Sequence, residues 1–96
     1  MGVTGAYAGW NTPLTLDGLG ALANAGEHNS LAVVDGYPAI SYYDATNDQL
    51  KYVRAEDAQG STWSTPIVVD TDGNVGWHTS LVVVDGYPAI SYQDVG

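Results

Sequence analysis

The chain has 96 residues, eleven acidic and two basic, with a formal net charge of −9 at pH 7 and no cysteine. This charge argues against nucleic acid and anionic membranes as partners, and the absence of cysteine excludes disulfides. No apolar run is long enough to span a bilayer, and no signal peptide is visible. We expect one small domain, and a domain of this length often needs a metal or oligomerisation to bury enough apolar surface.

The N-terminal segment predicts the last part of a sheet. Residues 10–17 (WNTPLTLD) match residues 63–70 (WSTPIVVD), and residues 3–7 are predicted to be a degraded strand before them. In residues 18–27, a helical turn is conceivable, but the glycines favour a loop.

Residues 31–44 predict a hairpin. The apolar run 31–34 is typical of a strand buried on both faces. Asp35-Gly36 is a two-residue turn signal, in which glycine supplies a positive φ. Residues 37–44 form the return strand, with Ala39 and Tyr43 on one face and Ile40 on the other.

Two further strands complete the predicted unit. Residues 49–54 alternate between two faces, and residues 56–62 form a glycine-containing loop. Residues 63–70 are predicted as the fourth strand, and Pro66 places it at a sheet edge, where a missing N–H costs least.

The second half of the chain repeats the first hairpin. Residues 80–94 agree with residues 30–44 at thirteen of fifteen positions, always with an offset of fifty. A four-stranded repeat of about fifty residues is typical of one blade of a β-propeller. The chain thus divides into residues 1–17 (third and fourth strands of a split blade), 30–70 (a complete blade) and 80–96 (first and second strands of a split blade).

Two blades cannot close a ring, because each unit would leave an apolar face and open strand edges exposed. We therefore predict an all-β propeller fold closed by head-to-tail homo-oligomerisation. Three chains with six blades are favoured, and four chains with eight blades are the second choice.

The loop before the fourth strand resembles the Asp-box of BNR-repeat, sialidase-like propellers. The residues that carry it are Asp57, Gly60, Thr62 and Trp63, with two residues between Asp57 and Gly60 where the family usually has one. The resemblance implies a propeller fold and a structural turn, since the family's Asp-box lies far from its active centre. So close a repeat with an incomplete blade is also compatible with an engineered fragment.

Sialidase-like chemistry is not expected. The family holds the substrate carboxylate with several arginines, a task for which arginine is well suited. This chain offers Arg54 alone, on a predicted outer strand. We therefore expect no enzymatic activity, and a self-assembling module is the favoured function.

Carbohydrate binding is the alternative function. His28 and His78 occupy equivalent positions just before the innermost strands, so a propeller would place several imidazoles in a circle around its central channel. Such a circle suits a metal or an anion, although it is usually too wide for its members to share one metal ion. Glu27/Trp77 and Tyr43/Gln93 differ between the copies, and divergence on a fixed scaffold favours a ligand surface. The predicted ligand-binding residues are Trp77, Glu27, Tyr43, Gln93, His28 and His78, with drift or core packing as the competing explanation.

Two turns have carboxylate spacings that a Ca²⁺ loop could use. They are Asp44, Asn47 and Asp48, and separately Asp70, Asp72 and Asn74. Neither matches an EF-hand loop, and turns are rich in Asp and Asn because these side chains cap nearby backbone groups. We expect no cofactor, with Ca²⁺ as a minor alternative.

Overall fold

The computed structural model describes residues 2–5, 12–20 and 22–96, and strands joined by turns make up this part of the chain. The strands are β1 (Thr4–Gly5), β2 (Leu14–Thr15), β3 (Ala25–Val34), β4 (Tyr37–Asp44), β5 (Gln49–Arg54), β6 (Ile67–Asp70), β7 (Val75–Val84) and β8 (Tyr87–Asp94). All strand pairs are antiparallel, which confirms the predicted all-β class. In the described residues no helix is long and apolar enough to cross a membrane.

The strands form three sheets. Sheet I pairs β1 with β2, sheet II has the order β3-β4-β5-β6, and sheet III pairs β7 with β8. In sequence, sheet III corresponds to the first two strands of sheet II, and β2 corresponds to β6. The predicted N-terminal strands extend over residues 6–11, including Tyr7 and Trp10, which lie outside the described residues.

Both hairpins turn as the Asp-Gly signal predicts. Asp35 and Gly36 have φ values of 52° and 82°, and Asp85 and Gly86 have 53° and 82°. Two successive positive φ values match the type I′ turn, whose twist suits the flanking antiparallel strands. The bounds of β4 and β5 agree with the predicted strands at residues 37–44 and 49–54.

Sheet II is contacted by another sheet on each of its two faces, which are called face A and face B. Face A of sheet II packs on sheet I, with Ile40, Tyr42 and Val53 buried against Val3. Face B of sheet II packs on sheet III, with Val34 and Ala39 buried against Leu81. Alternation along β3 and β4 sends successive side chains to opposite faces, so both faces carry apolar residues.

Glycine allows the sheets to approach closely at two equivalent points. Gly26 and Gly76 both have φ of +111°. A Cβ on Gly26 would lie 3.0 Å from the backbone N of Val3, and one on Gly76 would lie 3.0 Å from Cα of Leu50. Sheet II therefore meets sheet I in the way that sheet III meets sheet II.

The first strand of each hairpin is longer than the sequence indicates. Both β3 and β7 have ten residues, and their pairing shifts register twice before the regular ladder begins at Ser30 and Ser80. His28 and His78 sit in these irregular stretches with φ of 54° and 51°. They thus lie inside the strands rather than before them, in a left-handed conformation that is uncommon for a residue with a Cβ.

The fourth strand is shorter than predicted. It covers only Ile67–Asp70, whereas Trp63 forms an isolated bridge with Ala55. Pro66 immediately precedes β6, and its missing N–H and fixed φ disfavour a continuous ladder through this point.

Candidate functional site

Four aromatic rings from sheets II and III meet at one end of the long strands. These residues, Tyr43, Trp77, His28 and His78, are called the aromatic cluster below. The ring centroids of His28 and His78 are 4.4 Å apart, those of His28 and Trp77 are 4.9 Å apart, and those of Tyr43 and Trp77 are 5.4 Å apart. The structure therefore brings together four of the six predicted ligand-binding residues.

Hydrogen bonds fix two members of the aromatic cluster. The Tyr43 hydroxyl lies 2.6 Å from Asp48 Oδ1 and 2.7 Å from Asn74 Oδ1, and Trp77 Nε1 donates to the same Asn74 oxygen at 3.0 Å. Burial and the contact with Asp48 raise the pKa of Tyr43. The Tyr43 hydroxyl therefore remains a protonated donor near neutral pH, and Tyr43 and Trp77 share one acceptor.

The other two predicted ligand-binding residues lie at the margin of the cluster or away from it. Glu27 is the cross-strand partner of Tyr43, is exposed, and accepts a hydrogen bond of 3.3 Å from Asn24. Gln93 is the cross-strand partner of Trp77 and is exposed. Because it alternates with Tyr92, which reaches Asp70, Gln93 faces away from sheet II.

The two histidines are closer than a wide channel ring predicts. The irregular pairing at Glu27 and Trp77 turns His28 and His78 toward each other. Two imidazoles supply only part of a metal site, which usually needs three or four ligands. Across residues 2–5, 12–20 and 22–96, no group of three His, Cys, Asp or Glu side chains is arranged to hold a metal ion.

The predicted Asp-box residues form a compact turn. Asp57 Oδ1 accepts from the Ser61 backbone N–H at 2.8 Å, while Oδ2 accepts from the Ser61 and Thr62 hydroxyls. Hydrogen bonds from Ser61 hold the pKa of Asp57 below its ordinary value. Gly60 has φ of 70°, and its carbonyl accepts from Trp63 Nε1 at 2.8 Å. These hydrogen bonds stabilise the loop that contains the predicted Asp-box residues.

A charged group between sheets I and II was missed by the sequence interpretation. Lys51 Nζ lies 2.9 Å from Asp44 Oδ2 and 3.1 Å from Asp17 Oδ2, and the Tyr42 hydroxyl donates to Asp17 at 2.6 Å. Asp44 is only 2% exposed. Burial alone would raise the pKa values of Asp17 and Asp44, but hydrogen bonds from Tyr42 and Asn47 and the Lys51 ammonium lower both. The signal in the sequence was that Lys51 is the only lysine, on a strand whose alternation turns it toward an apolar face.

The two turns considered for Ca²⁺ use their side chains in protein contacts. Asp44 accepts from the Thr46 backbone N–H and from Asn47, as well as from Lys51. In the second turn, Asp70 accepts from the Asp72 backbone N–H at 2.9 Å and from Tyr92 at 2.6 Å. Capping of nearby groups and contacts with Lys51 and Tyr92 therefore account for Asp44 and Asp70.

Arg54, which was considered as a carboxylate-binding residue, lies over the ring of Tyr37. Its guanidinium carbon is 5.2 Å from the ring centroid. This distance is typical of a cation–π contact.

Comparison with known proteins gives no relative for this chain. No family model matches it, and neither the curated proteins nor the solved structures yield a similar chain.

Proposed function

We propose that the chain is a non-enzymatic module that assembles head to tail with copies of itself into a β-propeller of the Asp-box class. In this assembly sheet II is a complete blade, and sheet III of one copy joins sheet I of the next to form a shared blade. Three copies with six blades are favoured, and four copies with eight blades are the second choice.

The observation that carries this proposal is a contrast in burial between equivalent residues. Leu81 of sheet III is 4% exposed because it packs on sheet II, whereas its counterpart Leu31 is 63% exposed. Val34 of sheet II is 1% exposed, whereas its counterpart Val84 is 58% exposed. The contact between sheets II and III is formed by two surfaces, and each surface has an equivalent copy that is exposed. One copy lies around Leu31 on face A of sheet II, and the other lies around Val84 on sheet III.

The exposed surface around Leu31 on sheet II forms a groove. It has a volume of about 440 Å³ and is lined by Leu31, Val33, Pro38 and Ile40 together with Val3, which immediately precedes β1. Leu81 and Ile90, which pack on face B of sheet II, are the counterparts of Leu31 and Ile40. Since the internal contact covers Leu81 with a β3–β4 hairpin, the matching β7–β8 hairpin of a second copy is the occupant that fits the groove.

Strand edges support the same partner. Among the strands that the structure describes, β8 pairs only with β7, and β1 pairs only with β2. In sheet II the equivalent strands β4 and β5 pair with each other over six residues. Joining β8 to β1 of another copy would satisfy backbone groups that otherwise form open edges.

Two single-face variants test the proposal. Leu31→Glu blocks the groove on sheet II, and Val84→Glu blocks the exposed face of sheet III. Both side chains are exposed in the isolated chain. Each variant alone is expected to be monomeric, whereas an equimolar mixture is expected to form a 1:1 dimer through the one junction that remains intact. Leu22→Glu, at a side chain that is 95% exposed in a loop, is the control and should assemble like the parent.

Sedimentation velocity distinguishes the outcomes, with circular dichroism to show that each variant is folded. A mixture that contains only monomers, or single variants that assemble like the parent, would overturn the proposed head-to-tail contact. The dimer in the mixture also separates this contact from a symmetric one, in which the variant whose contact surface is intact would pair with itself and the other variant would stay monomeric even in the mixture.

The aromatic cluster favours carbohydrate binding as a second candidate function. Trp77 is half-buried, beside Tyr43 and the two histidines, with exposed Glu27 at the margin. An aromatic surface bordered by polar groups suits a sugar ring. A glycan-array hit should be accompanied by a change in tryptophan emission that is lost in Trp77→Phe. A silent array with unchanged emission would eliminate this function.

A further inference from the structure

The repeat specifies the register of the shared sheet. Thr4 pairs with Thr15 in sheet I, and Lys51 pairs with Val68 in sheet II. Thr15 and Val68 are equivalent in the matching segments 10–17 and 63–70. Thr4 therefore occupies in β1 the position that Lys51 occupies in β5.

Packing supports this alignment independently. Val3 lies against Gly26 in the same way that Leu50 lies against Gly76. Val3 and Leu50 each immediately precede the aligned pair Thr4 and Lys51. The equivalence thus follows from strand pairing and from the contact between sheets.

The surroundings of Lys51 also recur, but without the lysine. Tyr42 donates to Asp17 at 2.6 Å, and Tyr92 donates to Asp70 at 2.6 Å. Asp94 is the counterpart of Asp44, and it accepts from the Gly96 backbone N–H as Asp44 accepts from Thr46.

We infer that Thr4 of the second copy takes the place of Lys51 in the shared sheet, so that each junction joins Asp70 and Asp94 around an uncharged side chain. This inference rests on the proposed function, since it describes the junction between two copies. In sheet II the pairing of Tyr42 with Lys51 positions the ammonium between its two carboxylates. The same register places Thr4 of the second copy opposite Tyr92.

Because Thr4 replaces the Lys51 ammonium at the junction, the side chain at position 4 should control how tightly two copies associate. In the complete sheet, the Lys51 ammonium compensates a carboxylate that is almost fully buried. At the junction, closure brings two carboxylates toward the interior with backbone N–H and hydroxyl donors but no cation beside them, which is unfavourable. Supplying an ammonium at position 4 should therefore strengthen the junction.

A double-mutant cycle on the single-junction pair tests this inference. The Val84→Glu partner contributes β1 to the junction and receives Thr4→Lys, while the Leu31→Glu partner contributes β8 and receives Asp94→Asn. Thr4→Lys is expected to lower the dissociation constant about tenfold, which corresponds to about 1.4 kcal/mol. In combination with Asp94→Asn, this gain should fall to about twofold or less.

Thr12→Lys is the matched control, because it adds the same charge at an exposed position of the same segment. A gain from Thr4→Lys no larger than that from Thr12→Lys, or a gain that survives Asp94→Asn, would overturn the inference. Those results leave the pair itself intact, so they are distinct from failure of the proposed function, in which the pair does not form. Far-UV circular dichroism of each partner alone excludes misfolding as the cause.

Discussion

The hydroxyl of Tyr42 donates a 2.6-Å hydrogen bond to Asp17, joining face A of sheet II to the end of the segment that contains β2. Tyr92 makes the equivalent contact with Asp70 at the same distance. The two contacts differ in burial, since Tyr42 is fully buried and Tyr92 is 40% exposed. Equivalent residues therefore offer a matched pair for measuring what the contact between sheets contributes.

Tyr42→Phe should destabilise the chain more than Tyr92→Phe. Removing the Tyr42 hydroxyl leaves a half-buried carboxylate with one donor fewer, at a cost of about 1–3 kcal/mol. Tyr92→Phe removes an exposed contact that water can replace, so its effect should be much smaller. Urea denaturation followed by circular dichroism measures both, and equal losses would show that burial does not control the contribution.

Lys51→Met should be among the most destabilising substitutions outside the apolar core. It leaves Asp44, which is 2% exposed, without a counter-charge, and breaking such a buried pair costs about 3 kcal/mol. Adding Asp44→Asn should recover part of the loss, because the double variant no longer buries an uncompensated charge. A Lys51→Met variant as stable as the parent would contradict this account of the ion pair.

The same group predicts how stability depends on pH. The pKa values of Asp17 and Asp44 are lowered in the folded state, so they contribute stability above their unfolded pKa of about 4. This contribution is lost as the pH falls through their folded pKa values. Although burial opposes it, the carboxylates raise the pKa of Lys51 above 10.5, so its contribution is present below that pH and is lost as pH rises through the folded value. Urea titrations from pH 2 to pH 11 should show both losses, and both should shrink in Lys51→Met with Asp44→Asn.

Gly76→Ala should destabilise the chain by about 2 kcal/mol or more, because it combines a positive φ with a backbone contact that cannot yield easily. The added Cβ would lie 3.0 Å from Leu50 Cα. Gly86→Ala is the control, since Gly86 also has a positive φ of 82° but nothing within 4 Å of the added atom. It should cost only about 1 kcal/mol. Thermal melts of both variants provide the comparison, and equal costs would argue against close packing of sheet III on sheet II.

Local patterns in the sequence predict much of the fold. The Asp35-Gly36 turn and the bounds of β4 and β5 follow from a turn that requires positive φ and from regular alternation. The early start of β3 was not predictable, because it depends on His28 adopting a left-handed conformation in the middle of a strand. Histidine adopts this conformation more often than most residues other than glycine, but the conformation remains uncommon and periodicity gives no sign of it in the middle of a strand.

Contacts between sheets were harder to predict than the strands themselves. Lys51 and Asp17 are 34 residues apart, and their meeting depends on which face of sheet II covers sheet I. The aromatic cluster likewise needs His28 and His78, fifty residues apart in the chain, to turn toward each other across two sheets. Sequence divergence singled out Trp77 and Tyr43 as candidate residues, but their shared acceptor Asn74 was considered only as part of a possible Ca²⁺ loop.

Self-assembly is tested most directly by the mass of the unmodified chain in solution. Multi-angle light scattering at micromolar concentration should give three times the 10.1-kDa chain mass, with four times as the second expectation. Leu31 and Val84 should then be protected from solvent, although both are exposed in the single chain. A folded species with the mass of one chain at that concentration would contradict the account.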